Sequence, residues 1–410
     1  MVDKLKNVRD IEEKWDSVDI MAGEELSEEH IDKLVELAGS DNDETAKAAI
    51  DLLHDISQVT TKSVEGYVEA LEKIARDLDP EDDWDKIDDL IKSIWNVVQN
   101  NPESASISYD FLFEYHTHNE PYKSSAANAL PYLVTERIEL VESLIERLED
   151  PSATNREESA FVLKKIAEEH PGKVSTELTT LFHISQNQEE NSKVRRYSLE
   201  AIAEYTEQHP DDVRPHIQEI KNLVLTSDEH KRVREAGTRV LASYADQYPE
   251  TFHDQISSFA ELLDHHHHSL RWHIATMFRE IAAANPEALE DVSSEIQLSC
   301  RDEFDNARDA SLQAFVYLVE ENVITADEIN IDQAYLRELV ADNSAGTGAA
   351  TLPSIKLLGY IGDSEAVPSL EEILEKETGV SDQEKKAARE AINRIQTWDR
   401  LIVMSKRFQL

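Results

Sequence analysis

The side chains best equipped for chemistry in this 410-residue chain are four consecutive imidazoles, His265-His266-His267-His268, with His253 and His273 nearby in sequence. Imidazole nitrogens are good ligands for transition metals. Adjacent residues cannot all face one ion, however, without groups behind them to orient the rings. The run also falls between two helical stripes, so it reads as an exposed turn with incidental nickel or zinc affinity, and no metal ligand is assigned. Cys300 is the only cysteine, which excludes an internal disulfide and a cysteine-based zinc cluster. It occupies an apolar-periodic position and has no recognisable activator, so it reads as a small core residue. No nucleophile arrangement stands out elsewhere. The expectation is a chain without catalytic residues or a cofactor.

A second class of chemistry, phosphate recognition, needs clustered cations. Lys193, Arg195, Arg196, Arg214, Lys221, Lys231, Arg232, Arg234 and Arg239 form a local basic excess in the middle of the chain. Against it stand 85 acidic and 41 basic residues overall, a formal charge of −44, which opposes nucleic-acid binding. Arg195 and Arg234 read as structural residues that bond to turns or acids of adjacent segments, while Arg196 and Arg239 stay open as surface cations. The acids are spread along the chain instead of forming a tail, so they describe the whole surface. Such saturation fits a salt-accumulating halophile, where the screening length falls from about 10 Å at 0.1 M salt to about 3 Å at 1 M. That reading outweighs a dedicated cation or histone binder. With no signal-like or ~18-residue apolar stretch, the protein is expected in the cytoplasm without membrane insertion.

The elements that position these residues are announced by a proline beat. Pro171, Pro210, Pro249 and Pro286 are 39, 39 and 37 residues apart, and 15 residues before each stands Arg156, Arg195, Arg234 or Arg271. A whole unit recurs, with the period of a helical-pair solenoid. Taking each arginine as a marker, positions three, four, seven and ten residues on carry an apolar or small stripe, as in Ser198, Leu199, Ile202 and Tyr205. Arg308 repeats it with Ser311, Leu312, Phe315 and Leu318; Lys123 leads Ala126, Ala127, Leu130 and Leu133; Arg271 departs once, with Ile274 in the small position. The small residues early in each helix allow a neighbouring helix to approach closely. After each proline a second stripe begins, such as Val174, Leu178, Leu181 and Ile184, and the proline suits a helix start. Pro102 again falls 15 residues after Ile87 in a more diverged stretch.

These residues resemble the HEAT and HEAT-like (phycobilisome-lyase-type) repeats. Val194-Arg195 and Val233-Arg234 match the family's Val-Arg opening of a second helix, Leu270-Arg271 and Ala307-Arg308 match it loosely, and Leu358-Gly359, Ile361-Gly362-Asp363 and Ala366-Val367-Pro368 look like the lyase-type consensus. The resemblance implies an all-α, right-handed α-solenoid of about ten HEAT-like helical hairpins. It divides the chain into diverged repeats over 1–105, a regular array over 106–325, an irregular connector over 326–350 and lyase-type repeats with a cap over 351–410. Members with a di-iron centre use repeated His-Glu dipeptides, and this chain has none.

Because second helices line the concave side of HEAT arrays, the outward residues one, five and nine positions after each marker are the expected binding ladder. They are Asn128, Tyr132, Phe161, Arg196, Glu200, Arg239, Trp272, Gln313 and Tyr317. Aromatic and Arg side chains dominate protein-interface hot spots. The expected function is a non-enzymatic scaffold that holds a protein or peptide on this face, with acidic rims that favour a basic one. The runner-up is a nucleic-acid-associated HEAT protein, a repair or chromatin factor that uses the central basic residues.

Overall fold

The computed structural model describes residues 8–12, 27–59, 65–80, 82–100, 111–112, 125–126, 129–130, 139–226, 229–341, 350–376 and 378–408. All secondary structure among them is helical. The chain divides into two compact units, Met1–Gln208 and His209–Leu410. No helix among the described residues is long and apolar enough to cross a membrane.

In the first unit the described hairpins pair α1 (Glu28–Ala38) with α2 (Asp43–Val59), α3 (Val68–Asp77) with α4 (Trp84–Asn100), α5 (Glu139–Glu146) with α6 (Ala153–Glu169), and α7 (Leu178–Gln186) with α8 (Ser192–Gln208). In the second unit α9 (Ile217–Leu225) pairs with α10 (Lys231–Ala245), the short α11 (Ile256–Ala260) runs on into a 3-10 turn, Glu261–Asp264, that packs on α12 (His268–Ala284), and α13 (Ser293–Ser299) pairs with α14 (Asp305–Glu320). They are followed by α15 (Gln333–Ala341) with α16 (Thr351–Ile361) and α17 (Val367–Glu375) with α18 (Asp382–Phe408). Second helices pack on second helices: α2 on α4 and α6 on α8 in one unit, α10 on α12, α12 on α14 and α16 on α18 in the other.

The marker register fixes which face is inside. Ser159, Leu163 and Ile166, then Ser198, Leu199, Ile202 and Tyr205, then Gly237, Leu241 and Tyr244 are all buried, as are Ile274, Ala275, Phe278 and Ile281 on α12 and Ser311, Leu312, Phe315 and Leu318 on α14. The small residue three past the marker does bring the two helices of a hairpin together. A Cβ on Gly237 would stand 2.9 Å from a Val224 methyl of α9. Ser311 of α14 hydrogen-bonds Ser299 of α13 at 2.8 Å. Gly359 is held to the same rule between second helices, since a Cβ there would lie 2.7 Å from the Cα of Ala391.

Each proline of the beat opens a helical segment, but the first helix is not continuous. Pro171–Glu177, Pro249–Gln255 and Pro286–Val292 are 3-10 turns, and Pro210 opens one short α-helical turn before a 3-10 turn at Arg214–His216. Six residues past each proline the backbone leaves the helical basin: Glu177 (φ −109°, ψ 9°), His216 (−104°, −8°), Gln255 (−128°, 12°) and Val292 (−117°, 11°). These are bridge-region angles. Proline's fixed φ serves a 3-10 turn as well as an α-turn, so the sequence marks the start of the helix and not its joint. The post-proline stripe nevertheless points inward, with Val174, Leu178, Leu181, Ile184, Val213, Ile217, Ile220, Val224, Phe252, Ile256, Phe259 and Leu263 all buried.

Candidate functional site

The marker arginines are structural, in two ways. Arg195 Nε donates to the Ser185 carbonyl at 2.9 Å and Arg234 Nε to the Val224 carbonyl at 2.8 Å, so each caps the first helix of its own hairpin. Arg234 also sets Nη1 3.4 Å from His265 Nε2 in the next loop, and Arg156 and Arg271 each reach a carboxylate of the next loop. Arg156 grips Glu190 through Nε (2.9 Å) and Nη2 (3.0 Å), and Arg271 grips Asp302 through Nε (2.6 Å) and Nη2 (2.8 Å) while its Nη1 donates to the His265 carbonyl at 2.8 Å. Bidentate guanidinium–carboxylate pairs are the strong form of this contact. The same device recurs on α15, where Arg337 pairs with Asp363 at 2.6 Å and Glu365 at 2.9 Å across the Ile361-Gly362-Asp363 turn. In that turn Gly362 takes the left-handed conformation (φ 77°) that a glycine adopts freely.

Other central cations are also engaged. Lys193 pairs with Glu157 at 2.7 Å, Lys221 is buried and donates to the Thr251 carbonyl at 3.0 Å, and Arg214 lies 4.1 Å over the Tyr248 ring and 3.3 Å from Asp211. Burial pushes the Lys221 ammonium below its ordinary pKa.

Of the expected ladder, Asn128 and Tyr132 lie outside the described residues. Phe161, Arg196 and Glu200 stand on α6 and α8 of the first unit, and Arg239, Trp272, Gln313 and Tyr317 on α10, α12 and α14 of the second, every one of them half-buried. The remaining one-five-nine positions behave alike: Glu157 and Lys165, Glu204, Glu235 and Ser243, Thr276 and Glu280 are half-buried too, and only Asp309 is buried outright. A helix packed on its own hairpin and on a neighbouring second helix keeps one narrow row of side chains open, and this is that row.

In the first unit the row is a small cluster. The Phe161 and Tyr197 rings meet edge to face at 5.2 Å, Arg196 lies 4.3 Å over Tyr197, and Glu200 is 3.4 Å from Arg196 and 3.8 Å from Lys164. In the second unit Trp272 stacks on His273 at 4.6 Å and meets Phe304 edge to face at 6.3 Å. Burial, helped by the Arg239 charge, lowers the His273 pKa to about 4 and keeps its ring neutral. Burial acts oppositely on Asp309, whose carboxyl rises to about 6.

Several row residues escaped the sequence reading. Tyr197 and His273 stand two past their markers, a position the one-five-nine rule omits, yet Tyr197 meets Phe161 and His273 feels Arg239, each five past the preceding marker. Lys356 and Tyr360 continue the row on α16, where Thr351 replaces the basic marker and so hides the register. Lys356 pairs with Glu320 at 3.0 Å, and Arg394 lies 4.1 Å over the Tyr360 ring. Asp88, Lys92 and Asn96 do the same on α4, counted from Ile87.

Of the histidine run, His265, His266 and His267 form a folded loop and His268 opens α12. His265 Nδ1 accepts from the His267 backbone N–H at 3.1 Å, and His268 packs on Phe304 at 4.6 Å. No group of three metal-ligating side chains is arranged around an ion site among the described residues. Cys300 is fully buried, burial raises its thiol pKa, and its sulfur lies 3.3 Å from the Ile296 carbonyl.

Comparison with known proteins agrees with this architecture. The family described as dynein axonemal assembly factor 5-like, TPR repeats, matches residues 115–317, just under half of the chain. Among solved structures, a crystal structure of importin beta is similar over 89% of this chain and 54% of its own, with a TM-score of 0.60 and 14% identity. An engineered protein is similar over 90% of this chain and 99% of its own (TM-score 0.54, 17% identity). Kap95p, in a structure concerned with the switch loops of RanGDP, is similar over 89% and 56% (TM-score 0.50, 12% identity). The chain spans about half the length of the importin beta and Kap95p chains. No curated protein sequence matches it. At these identities the likeness concerns the fold, a solenoid of helical hairpins.

Proposed function

We propose that this HEAT-like repeat protein is a non-enzymatic scaffold that holds a protein or peptide on the face of its second helices, the concave side in HEAT arrays. The observation that carries the reading is the half-buried row one, five and nine past each marker. Its side chains stand on helices packed on their own hairpin and on a neighbouring second helix, so little rotamer freedom is lost when a partner covers them. The row offers rings and charges of the type that anchor interfaces: Phe161 with Arg196 and Glu200 in the first unit, and Arg239, Trp272, Gln313 and Tyr317 in the second. Asn128 and Tyr132 belong to the same register. The acid surplus steers a basic partner and fits a cytoplasm rich in salt.

Against the nucleic-acid alternative, five of the nine central cations, Lys193, Arg195, Arg214, Lys221 and Arg234, are taken up by carboxylates, carbonyls or a ring.

Affinity capture from a native lysate at high salt tests the proposal. Wild-type protein is expected to retain a partner that Trp272→Ala and Phe161→Ala release while their circular dichroism stays helical. Submicromolar binding of labelled duplex with a steep salt slope overturns it in favour of a nucleic-acid role.

A further inference from the structure

A separate concavity of about 880 Å³ opens in the second unit where the hairpin of α11 and α12 meets that of α13 and α14. Its size is that of a ligand pocket. None of the half-buried row lines it. Ala260 and Leu263, both buried, form its floor with the Arg271–Asp302 pair, and Glu261, Asp264, Glu295 and Glu303 stand around it. Arg271 brings no spare charge, because Asp302 takes two of its donors and the His265 carbonyl a third. That leaves Arg301 as the rim's permanent cation among four carboxylates.

Beside them stands Leu298, 76% exposed, whereas Trp84 and Trp398, the other large apolar side chains exposed among the described residues, are 48% exposed. Its neighbours on α13, Ile296 and Ser299, are turned into the core. Leu298 contributes no such burial to its own hairpin.

We infer that this groove docks a basic segment of a protein partner, with an apolar side chain of the segment on Leu298 and its Lys or Arg heads among Glu261, Glu295 and Glu303. Charge complementarity selects the occupant. The carboxylates repel a phosphate or an acidic peptide, and an isolated apolar residue beside them gives a purely electrostatic ligand nothing to cover. Apolar contact and ion pairing act together only for a ligand that carries both.

Fluorescence anisotropy with three short labelled peptides tests this, at the lowest salt at which circular dichroism shows the chain folded. The probes are alternating lysine and leucine, lysine alone at the same charge, and alternating glutamate and leucine. The lysine–leucine peptide is expected to bind, and the other two are not. Leu298→Ser, and separately Glu295→Gln with Glu303→Gln, should each weaken it about tenfold, while Glu371→Gln with Glu372→Gln on the exposed side of α17 should not. Failure of the lysine–leucine peptide to bind, equal binding of the lysine-only peptide, or wild-type affinity in the groove variants each overturns the inference. Peptide anisotropy reads the groove and lysate capture reads the row, so loss of one is distinguished from loss of the other.

Discussion

On α12 and α14 the row side chains Trp272, Gln313 and Tyr317 stand on 17- and 16-residue helices packed against their neighbours. In the groove, Leu298 and Glu295 stand on the seven-residue α13, and Arg301, Asp302 and Glu303 on the loop after it. The first surface is one face of a regular element repeated unit by unit. The second lies where two particular hairpins join, and it depends on the Arg271–Asp302 pair that closes its floor. The fold beneath a surface carried on helix faces should therefore tolerate the loss of one structural contact, and the fold beneath a surface carried on a joint should not.

The sharpest way to break this contrast is at the joint. Arg271→Ala leaves Asp302, whose side chain is only 4% exposed, without its partner, and the expected loss is about 3–5 kcal/mol in urea unfolding of the whole chain. Arg234→Ala, at the equivalent register position, removes a bond to a carbonyl and a 3.4 Å contact with His265 of the next loop, neither of them to a carboxylate, and should cost about 1–3 kcal/mol. Equal costs would show that a carboxylate partner in the next loop adds nothing.

A middle-sized effect concerns protons on the row itself. His273 has its pKa lowered from 6.5 to about 4, so the stability it confers is full above pH 6.5 and is lost as pH falls toward 4. Asp309 has its pKa raised from 3.8 to about 6, so its burial penalty is absent below pH 3.8 and grows as pH rises to 6. The two slopes oppose each other over nearly the same window. Asp309→Asn should raise stability at pH 7 by about 1–3 kcal/mol and make the loss on acidification steeper than in wild type. A variant no more stable than wild type at pH 7, with an unchanged acid limb, would refute the assignment.

The smallest expected change is Leu298→Ser, which should leave thermal unfolding within about 0.5 kcal/mol of wild type because the side chain is already in water. Larger destabilisation would mean that Leu298 packs, and the groove would lose its apolar anchor. Salt provides a control on all three: helix content should fall as salt drops from molar to about 0.1 M if carboxylate repulsion is what high salt holds in check.

Much of the architecture was legible because two kinds of residue mark the four central units: a proline that begins a helix, and an arginine 15 residues before it. Counting from them places Leu199, Phe278 or Phe315 in the core without further information. What the register did not reveal depends on neighbours from another helix. Tyr197 and His273 matter through the residue five past the previous marker, a relation between two helices and not a period within one. Lys356 and Tyr360 were hidden because threonine serves at the marker position of α16. The groove was unreadable for a different reason: Leu298 continues an apolar pattern at the end of a short helix, and only the packed structure shows that this particular leucine points into water.

The joint six residues past each proline has a consequence for the order of assembly. It cuts the first helices into pieces, leaving α7 and α9 nine residues long, α11 five and α13 seven, beside second helices of 15 to 17 residues in α6, α8, α10, α12 and α14. Isolated helices below about 12–15 residues are marginal in water. The short pieces therefore need a template, and the second helices supply it. The second helices are expected to form first and to exchange their amide hydrogens last, with the first helices condensing onto them one hairpin at a time.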